Sequence, residues 1–251
     1  RRGTDAARQA ADMVLKDDSL SSIVAAVEQG RVIFANIRKS VMFMLCTNVA
    51  EVLAVAAASV AGAPLPLRPL QILYLNMLTD VFPALALGVG KGSEDVMRRA
   101  PRRPREPIMP RGLWLAVAGW GLVIAACVLF ALAAGLWWLR MEHLSAVTIS
   151  FLTLGFAKLW FVYNLREPHS YWLADPIVRN GWVWGAVGLC VVLLVAAVYT
   201  PGLSSLLQTH HVGSKGWLVV LTLSVLPAVM GQALLWIRER GMGEQDGSTS
   251  S

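Results

Sequence analysis

An all-α, polytopic membrane protein is what this sequence predicts: a bundle of six transmembrane helices with a short cytoplasmic N-terminal remnant. Three observations predict it. The 251 residues are 56% hydrophobic and only 15% charged, where a soluble domain carries about a quarter charged residues. The apolar residues fall in long blocks instead of being spread along the chain. No block shows the short period-2 segments of a membrane β-barrel, and a spanning backbone that is not a barrel must satisfy its hydrogen bonds as helix. The composition excludes an ordinary soluble enzyme. It also excludes disorder, because the apolar surface is more than enough to offset the ordering entropy. No basic start leads into a short apolar run, so no signal peptide is visible.

The first 39 residues are the least apolar. Ala6 to Leu15 is mildly apolar and ends in Lys16-Asp17-Asp18. Asp18-Ser19 is a helix N-cap before an amphipathic run from Ile23 to Ile37. No Gly or Pro interrupts the chain between Gly30 and Gly62, so one helix is expected to enter the membrane near Arg38-Lys39. A span needs about 20 mostly apolar residues, and six stretches qualify, near 40–62, 69–90, 112–137, 145–165, 181–200 and 216–237. Residues 1–39 then form a cytoplasmic segment with its connecting helix, 40–240 the membrane domain, and 241–251 a small polar tail expected to be disordered. The chain opens on Arg1-Arg2 and not on Met, and is expected to be a piece of a longer protein.

Charge placement gives the orientation. The connection 91–111 holds Lys91, Arg98, Arg99, Arg102, Arg103, Arg105 and Arg111, the connection 166–180 holds Arg166 and Arg179, and the tail begins with Arg238 and Arg240. The alternate connections hold only Arg68, Arg140 and Lys215. The basic side is cytoplasmic by the positive-inside rule, which places both termini in the cytoplasm. The net charge of +6 is accounted for by these loops, and no nucleic-acid partner is implied. Trp114, Trp137, Trp138, Trp182, Trp184, Trp217 and Trp236 sit near span ends as interfacial anchors. Cys46, Cys127 and Cys190 lie far apart inside apolar blocks, with no disulfide or zinc spacing. His210-His211 is too small a pair for a metal site, and Tyr163 and Asn164 read as packing.

The functional signal is the set of polar residues within the spans. Asn48 and Glu51 are three residues apart on one helical face, and Asn76, Thr79 and Asp80 share a face of the next span. Pro83 follows Asp80 by three residues, and its ring loosens the backbone bonding of that turn, exposing carbonyls that can bind a cation. Two acids, two amides, one hydroxyl and free carbonyls form an oxygen-only set of the kind hard cations take. Helix-to-helix adhesion is the bland reading for Asn and Thr. It fits two carboxylates poorly, since each costs at least about 3 kcal/mol to insert. Lys158, midway along the fourth span, either pairs with Glu51 or Asp80 as a built-in counter-charge or runs its stem toward the interface near Arg166.

These residues carry a resemblance. Asn48-Val-Ala-Glu51 and Leu-Asn76-Met-Leu-Thr79-Asp80-Val-Phe-Pro83-Ala-Leu-Ala-Leu-Gly88 resemble the fifth and sixth transmembrane helices of P-type cation-transporting ATPases of the calcium-pump-like type. Gly3-Thr4-Asp5 through Leu15, with Asp17-Asp18, resembles the end of that family's phosphorylation domain. Asn36-Ile-Arg38-Lys39 resembles the approach to the fifth helix, and Met97-Arg98-Arg99-Ala-Pro101-Arg102 to Glu106-Pro107-Ile108 the loop after the sixth. Beyond about residue 110 the match is one of hydropathy and connection lengths, with Asn164-Leu-Arg166 as a local echo.

The resemblance implies that Asn48, Glu51, Asn76, Thr79 and Asp80 are cation ligands, with Ca2+ the first expectation and Mn2+ or H+ the others. It implies that ATP and Mg2+ act in domains outside this chain, which lacks the Asp-Lys-Thr-Gly-Thr phosphorylation motif. No catalytic or cofactor-binding residue is therefore assigned here. The implied partners are lipid and the N-terminal part of the same pump, and the implied place is the plasma membrane of a bacterium. Lys158 falls where calcium pumps have an acid and related bacterial pumps often have Gln, and a fixed positive charge there disfavours two bound divalent ions. The alternatives are a passive or secondary cation carrier using the same acids, or a non-catalytic truncated membrane fragment.

Overall fold

The computed structural model describes residues 4–15, 19–92, 95–98, 100–101, 107–166 and 175–248, with the side chains of residue 7 and of residues beyond 237 left undescribed. Asp17, Asp18, Gly3 and the loop arginines Arg99, Arg102, Arg103 and Arg105, singled out above, lie outside the described residues. Among the described residues the chain is helical with no strand, and six helices are long and apolar enough to cross a membrane. They cover Leu20–Val60, Pro69–Gly88, Arg111–Trp138, His143–Leu165, Gly181–Tyr199 and Ser214–Ile237, the same six blocks the hydropathy marks out. The chain is an integral membrane protein of all-α class.

A short α1 (Asp5–Ala10) precedes α2 (Leu20–Val60). Helix α2 is unbroken over 41 residues, a length of about 60 Å, roughly twice the hydrocarbon thickness. Its first turns stand exposed, and its buried residues (Val32, Asn36, Phe43, Cys46, Thr47, Ala50, Glu51, Ala54, Ala58) are related by separations of three, four and seven, the spacing of one helix face. It stops in a Schellman motif. Gly62 has φ of 61°, its N–H donates to the Ser59 carbonyl, and the Ala63 N–H donates to the Ala58 carbonyl, which closes two otherwise unpaired acceptors.

The second span is broken in the middle. Helix α3 (Pro69–Leu75) starts with proline at its first position, where the missing N–H has no intrahelical role. A π-helical turn follows over Asn76–Asp80, then α4 (Val81–Gly88). Pro83 has no N–H to give the Thr79 carbonyl, so the widened turn sits where the sequence places loosened bonding.

Helix α5 (Arg111–Ala133) ends in a second π turn at Ala134–Trp138, α6 (His143–Phe161) continues into a 3-10 turn at Val162–Leu165, and α7 (Gly181–Tyr199), α8 (Pro201–Leu207) and α9 (Ser214–Ser248) complete the chain. Helix α6 is the axis of the bundle: 89% of its most apolar stretch is buried, against 22–44% in the other spans. A Cβ added at Gly155 would lie 2.9 Å from a Leu194 methyl, so a larger residue there forces the Leu194 side chain, and with it the α6–α7 packing, to shift. The tryptophans read as anchors are exposed at span ends (Trp114, Trp137, Trp138, Trp182, Trp184, Trp236), with Trp217 partly covered and donating to the Tyr199 hydroxyl. One boundary differs from the sequence reading. Helix α9 runs on through Gly241 to Ser248, into the stretch expected to be disordered, because a helix already nucleated in a span extends at the cost of only one residue per added bond.

Candidate functional site

Three helices meet at one buried point. Helix α2 brings Thr47, Asn48 and Glu51, the π turn brings Asn76, Thr79 and Asp80, and α6 brings Lys158. The Lys158 Nζ donates to Glu51 Oε2 at 2.8 Å, to Asn76 Oδ1 at 3.1 Å and to Asp80 Oδ1 at 3.1 Å. An ammonium has three N–H donors and no acceptor, so all three are used. Lys158 is fully buried, and Glu51 and Asp80 are each 4% exposed. The lysine stem does not run to the interface near Arg166, and the ammonium bridges both acids instead of choosing one.

The remaining residues close the pocket. Thr47 and Asn48 lie against the Asp80 carboxylate, and Asn76 lies against Glu51. The Thr79 hydroxyl donates to the Leu75 carbonyl at 2.9 Å and the Thr47 hydroxyl to the Phe43 carbonyl at 3.1 Å, which leaves their oxygen lone pairs as acceptors. The Cys190 thiol of α7 reaches the Leu78 carbonyl within the π turn at 3.4 Å. All five residues read from sequence as cation ligands thus lie on the two elements lining this pocket, with Asn48 and Asn76 half-buried and Glu51, Thr79 and Asp80 buried. Thr47 was not singled out by sequence reasoning, although it stands one turn before Glu51 on the same face.

Two features fix the chemistry available here. With both carboxyls ionised and Lys158 protonated, the cluster carries one net negative charge. Glu51 Oε1 is buried and has no hydrogen-bond partner among the described residues, although a buried polar atom is ordinarily paired. The pocket can therefore offer an uncommitted carboxylate oxygen to a proton or a cation. No group of three or more His, Cys, Asp and Glu side chains gathers anywhere among the described residues. A cation held here would depend on two acids supplemented by amide, hydroxyl and backbone oxygens, an all-oxygen set suited to hard ions.

Of the other polar groups noted in the sequence, Asn164 has hydrogen-bond partners, while the Tyr163 hydroxyl and His210 Nδ1 are buried with none among the described residues. Asn164 donates to the Pro227 carbonyl at 3.0 Å and accepts from Gln232 at 3.1 Å, joining α6 to α9. Tyr163 packs its ring on Trp184, and His211 sits edge-on to Tyr199. The three cysteines are buried and free.

Comparison with known proteins adds a lineage to this geometry. The family described as "Cation transporting ATPase, C-terminus" matches residues 64–237. A calcium-transporting ATPase of Bacillus subtilis (strain 168) is 35% identical over 239 residues, covering 95% of this chain and 27% of that protein. Calcium-transporting ATPase 1 of Bacillus cereus is 34% identical over 247 residues, covering 92% of this chain and 28% of that protein. The P-type sodium-transporting ATPase4 of Toxoplasma gondii is 45% identical over 179 residues, or 71% of this chain and 12% of that protein. The chain spans about a quarter of the length of the calcium-transporting relatives it matches.

Proposed function

Because the chain belongs to the family of cation-transporting P-type ATPases, as its C-terminal membrane part, we propose that it carries the ion-translocating pocket of an ATP-driven pump for Ca2+ or another hard cation. The observation that carries this reading is the convergence of Glu51, Asn76 and Asp80, from two neighbouring spans, on a single point in the membrane interior. Carboxylates are too costly to bury for adhesion alone. The calcium-transporting names of the two Bacillus relatives make Ca2+ the first candidate. In this reading ATP and Mg2+ act in cytoplasmic domains of the whole pump, and the basic loops favour a cytoplasmic location for both termini of this chain, with the bacterial plasma membrane as the site of action. In this reading lipid and the preceding part of the same pump are the partners.

The ligand set is Asn48, Glu51, Asn76, Thr79 and Asp80, and Lys158 is the tethered counter-charge. Its ammonium occupies the point toward which three of the ligand oxygens are aimed, as a cation that cannot leave the protein. A transported ion reaches those oxygens by displacing the ammonium or by sharing them with it. Either way the pocket carries only one net negative charge before the ion arrives, which favours one divalent ion per cycle over two. A pump can cycle this pocket by moving α2: a long continuous helix carries a shift of a cytoplasmic domain to Glu51 as a rigid element.

The test is uptake by sealed vesicles containing the full-length protein, with a panel of Ca2+, Mn2+, Mg2+ and Na+. ATP-dependent accumulation of one of these, abolished by Glu51→Gln, is expected. Uptake that proceeds down a gradient with no ATP requirement would instead identify a passive or secondary carrier.

A further inference from the structure

Asn36 and Asn180 lie outside the ion pocket, yet both amides meet at the far end of the helix that follows Asp80. Helix α4 ends at Gly88, and a helix end leaves its last four carbonyls without intrahelical donors. Each of the four is satisfied, by two different means. The Val89 N–H closes the Leu85 carbonyl and the Gly90 N–H closes the Leu87 carbonyl. The two carbonyls that the backbone leaves over are taken by side chains. Asn180 Nδ2 donates to Ala86 O at 3.0 Å, and Asn36 Nδ2 donates to Gly88 O at 3.3 Å and to Gly90 O at 2.7 Å. One helical turn further along α2, the Ser40 hydroxyl donates to Ala84 O at 3.0 Å.

The two asparagines belong to different parts of the fold. Asn36 is a 5% exposed residue of α2, on the stretch between the exposed first turns of that helix and Glu51. Asn180 caps α7, its Oδ1 accepting from the Trp182 N–H at 3.0 Å, so both ends of its amide are in use. An atom added at Gly90 in the position of a Cβ would stand 3.4 Å from the Asn180 amide nitrogen and 3.7 Å from that of Asn36. The end of α4 is therefore gripped from two sides by neutral, directional bonds, and from there a rigid helix of eight residues leads to Asp80, about 12 Å away.

From this geometry we infer that Asn36 and Asn180 are positioning residues that fasten α4, the helix leading out of the ion-ligand π turn, to α2 on one side and to the start of α7 on the other, so that displacement of α2 is delivered to Asp80. The inference rests on the pump reading above. Packing alone would let α4 slide against α2. The paired carbonyls make the two move as one body, since a slip leaves these partly buried acceptors without their donors. Neither asparagine contacts the ion, so the clamp affects how ion movement follows ATP hydrolysis and leaves equilibrium ion binding alone.

Two substitutions in the full-length pump isolate the clamp. Asn180→Asp keeps an acceptor for the Trp182 N–H, since Asp caps helices as well as Asn, and replaces the donor to Ala86 with a carboxylate oxygen that repels that carbonyl. Asn36→Leu keeps the volume and removes the donors to Gly88 and Gly90. Equilibrium Ca2+ affinity is expected to stay within about twofold, while ions transported per ATP fall by about fivefold per lost bond, the factor that corresponds to one net hydrogen bond. A parallel fall of affinity, hydrolysis and transport marks a merely structural role and overturns the inference, as does an unchanged ratio.

The pair Asn36→Cys with Gly90→Cys supplies an independent decision when the single variants do not accumulate. Oxidation should cross-link the two positions and leave turnover intact, because they do not separate in the cycle. Turnover that is lost on oxidation and regained on reduction, or failure to cross-link, contradicts the clamp. If the unsubstituted protein shows no ATP-driven transport, the pump reading fails instead, which keeps the two failures apart.

Discussion

Replacing Lys158 with glutamine removes the one positive charge in the pocket and keeps a side chain of similar reach. Glu51 Oε2 and Asp80 Oδ1 lie 2.8 and 3.1 Å from the same ammonium, so the two oxygens are separated by no more than the sum of those contacts. With the ammonium gone, two carboxylates at that separation repel each other by about 3 kcal/mol at an effective dielectric near 20. Removing one partner from a buried ion pair costs about 3–5 kcal/mol in general. The Lys158→Gln protein is therefore expected to melt earlier than the parent in cation-free buffer. A divalent ion then takes over the role of the ammonium, and its affinity should rise by about two orders of magnitude, the equivalent of about 3 kcal/mol. The assays are equilibrium 45Ca2+ binding, thermal unfolding with and without Ca2+, and ions transported per ATP in vesicles, all on the full-length pump. Recovery of the lost stability by Ca2+, to a greater degree than in the parent, is the expected signature. Unchanged affinity, unchanged ion-to-ATP ratio and no cation-dependent rescue would refute the idea that Lys158 is a tethered cation.

Three further outcomes follow from the same geometry. Asp80→Asn in the full-length pump should abolish ion-dependent phosphorylation by lowering cation affinity, and unchanged affinity would remove Asp80 from the ligand set. Pro83→Ala restores an N–H for the Thr79 carbonyl; the turn should tighten toward regular helix and cation affinity fall about fivefold, equivalent to one net hydrogen bond, as read by 45Ca2+ binding. Gly155→Val drives a side chain into Leu194, which a Cβ alone would approach to 2.9 Å. It should cost about 1–3 kcal/mol of stability through overpacking, measured by thermal unfolding in detergent, with ion selectivity unchanged in whatever fraction remains folded.

The membrane bundle could be read from the sequence because its cause is compositional: a span is announced by some twenty apolar residues whatever they pack against. The continuity of α2 was legible for a similar local reason, the lack of any proline or glycine between Gly30 and Gly62. The widened turn beside Asp80 was legible from Pro83, whose missing N–H acts four residues away. The choice of partner across helices was not. The spacing of Lys158 within its own span says that it is deep, but which carboxylate it meets depends on how α6 packs against α2 and the π turn, and the answer is both. Thr47 escaped notice because a threonine in a span is ordinarily bonded to its own helix, as this one is to Phe43, and only the approach of Asp80 gives it a further part. Asn36 and Asn180 carry no local signal that joins them.

The most direct measurement of the central claim is a structure of the intact pump in Ca2+, with the ion located by its density. The account predicts an ion at about 2.3–2.6 Å from carboxylate oxygens of Glu51 and Asp80, with the Lys158 ammonium moved off or sharing those oxygens. An ion bound elsewhere, with Lys158 still joined to both acids, would contradict it.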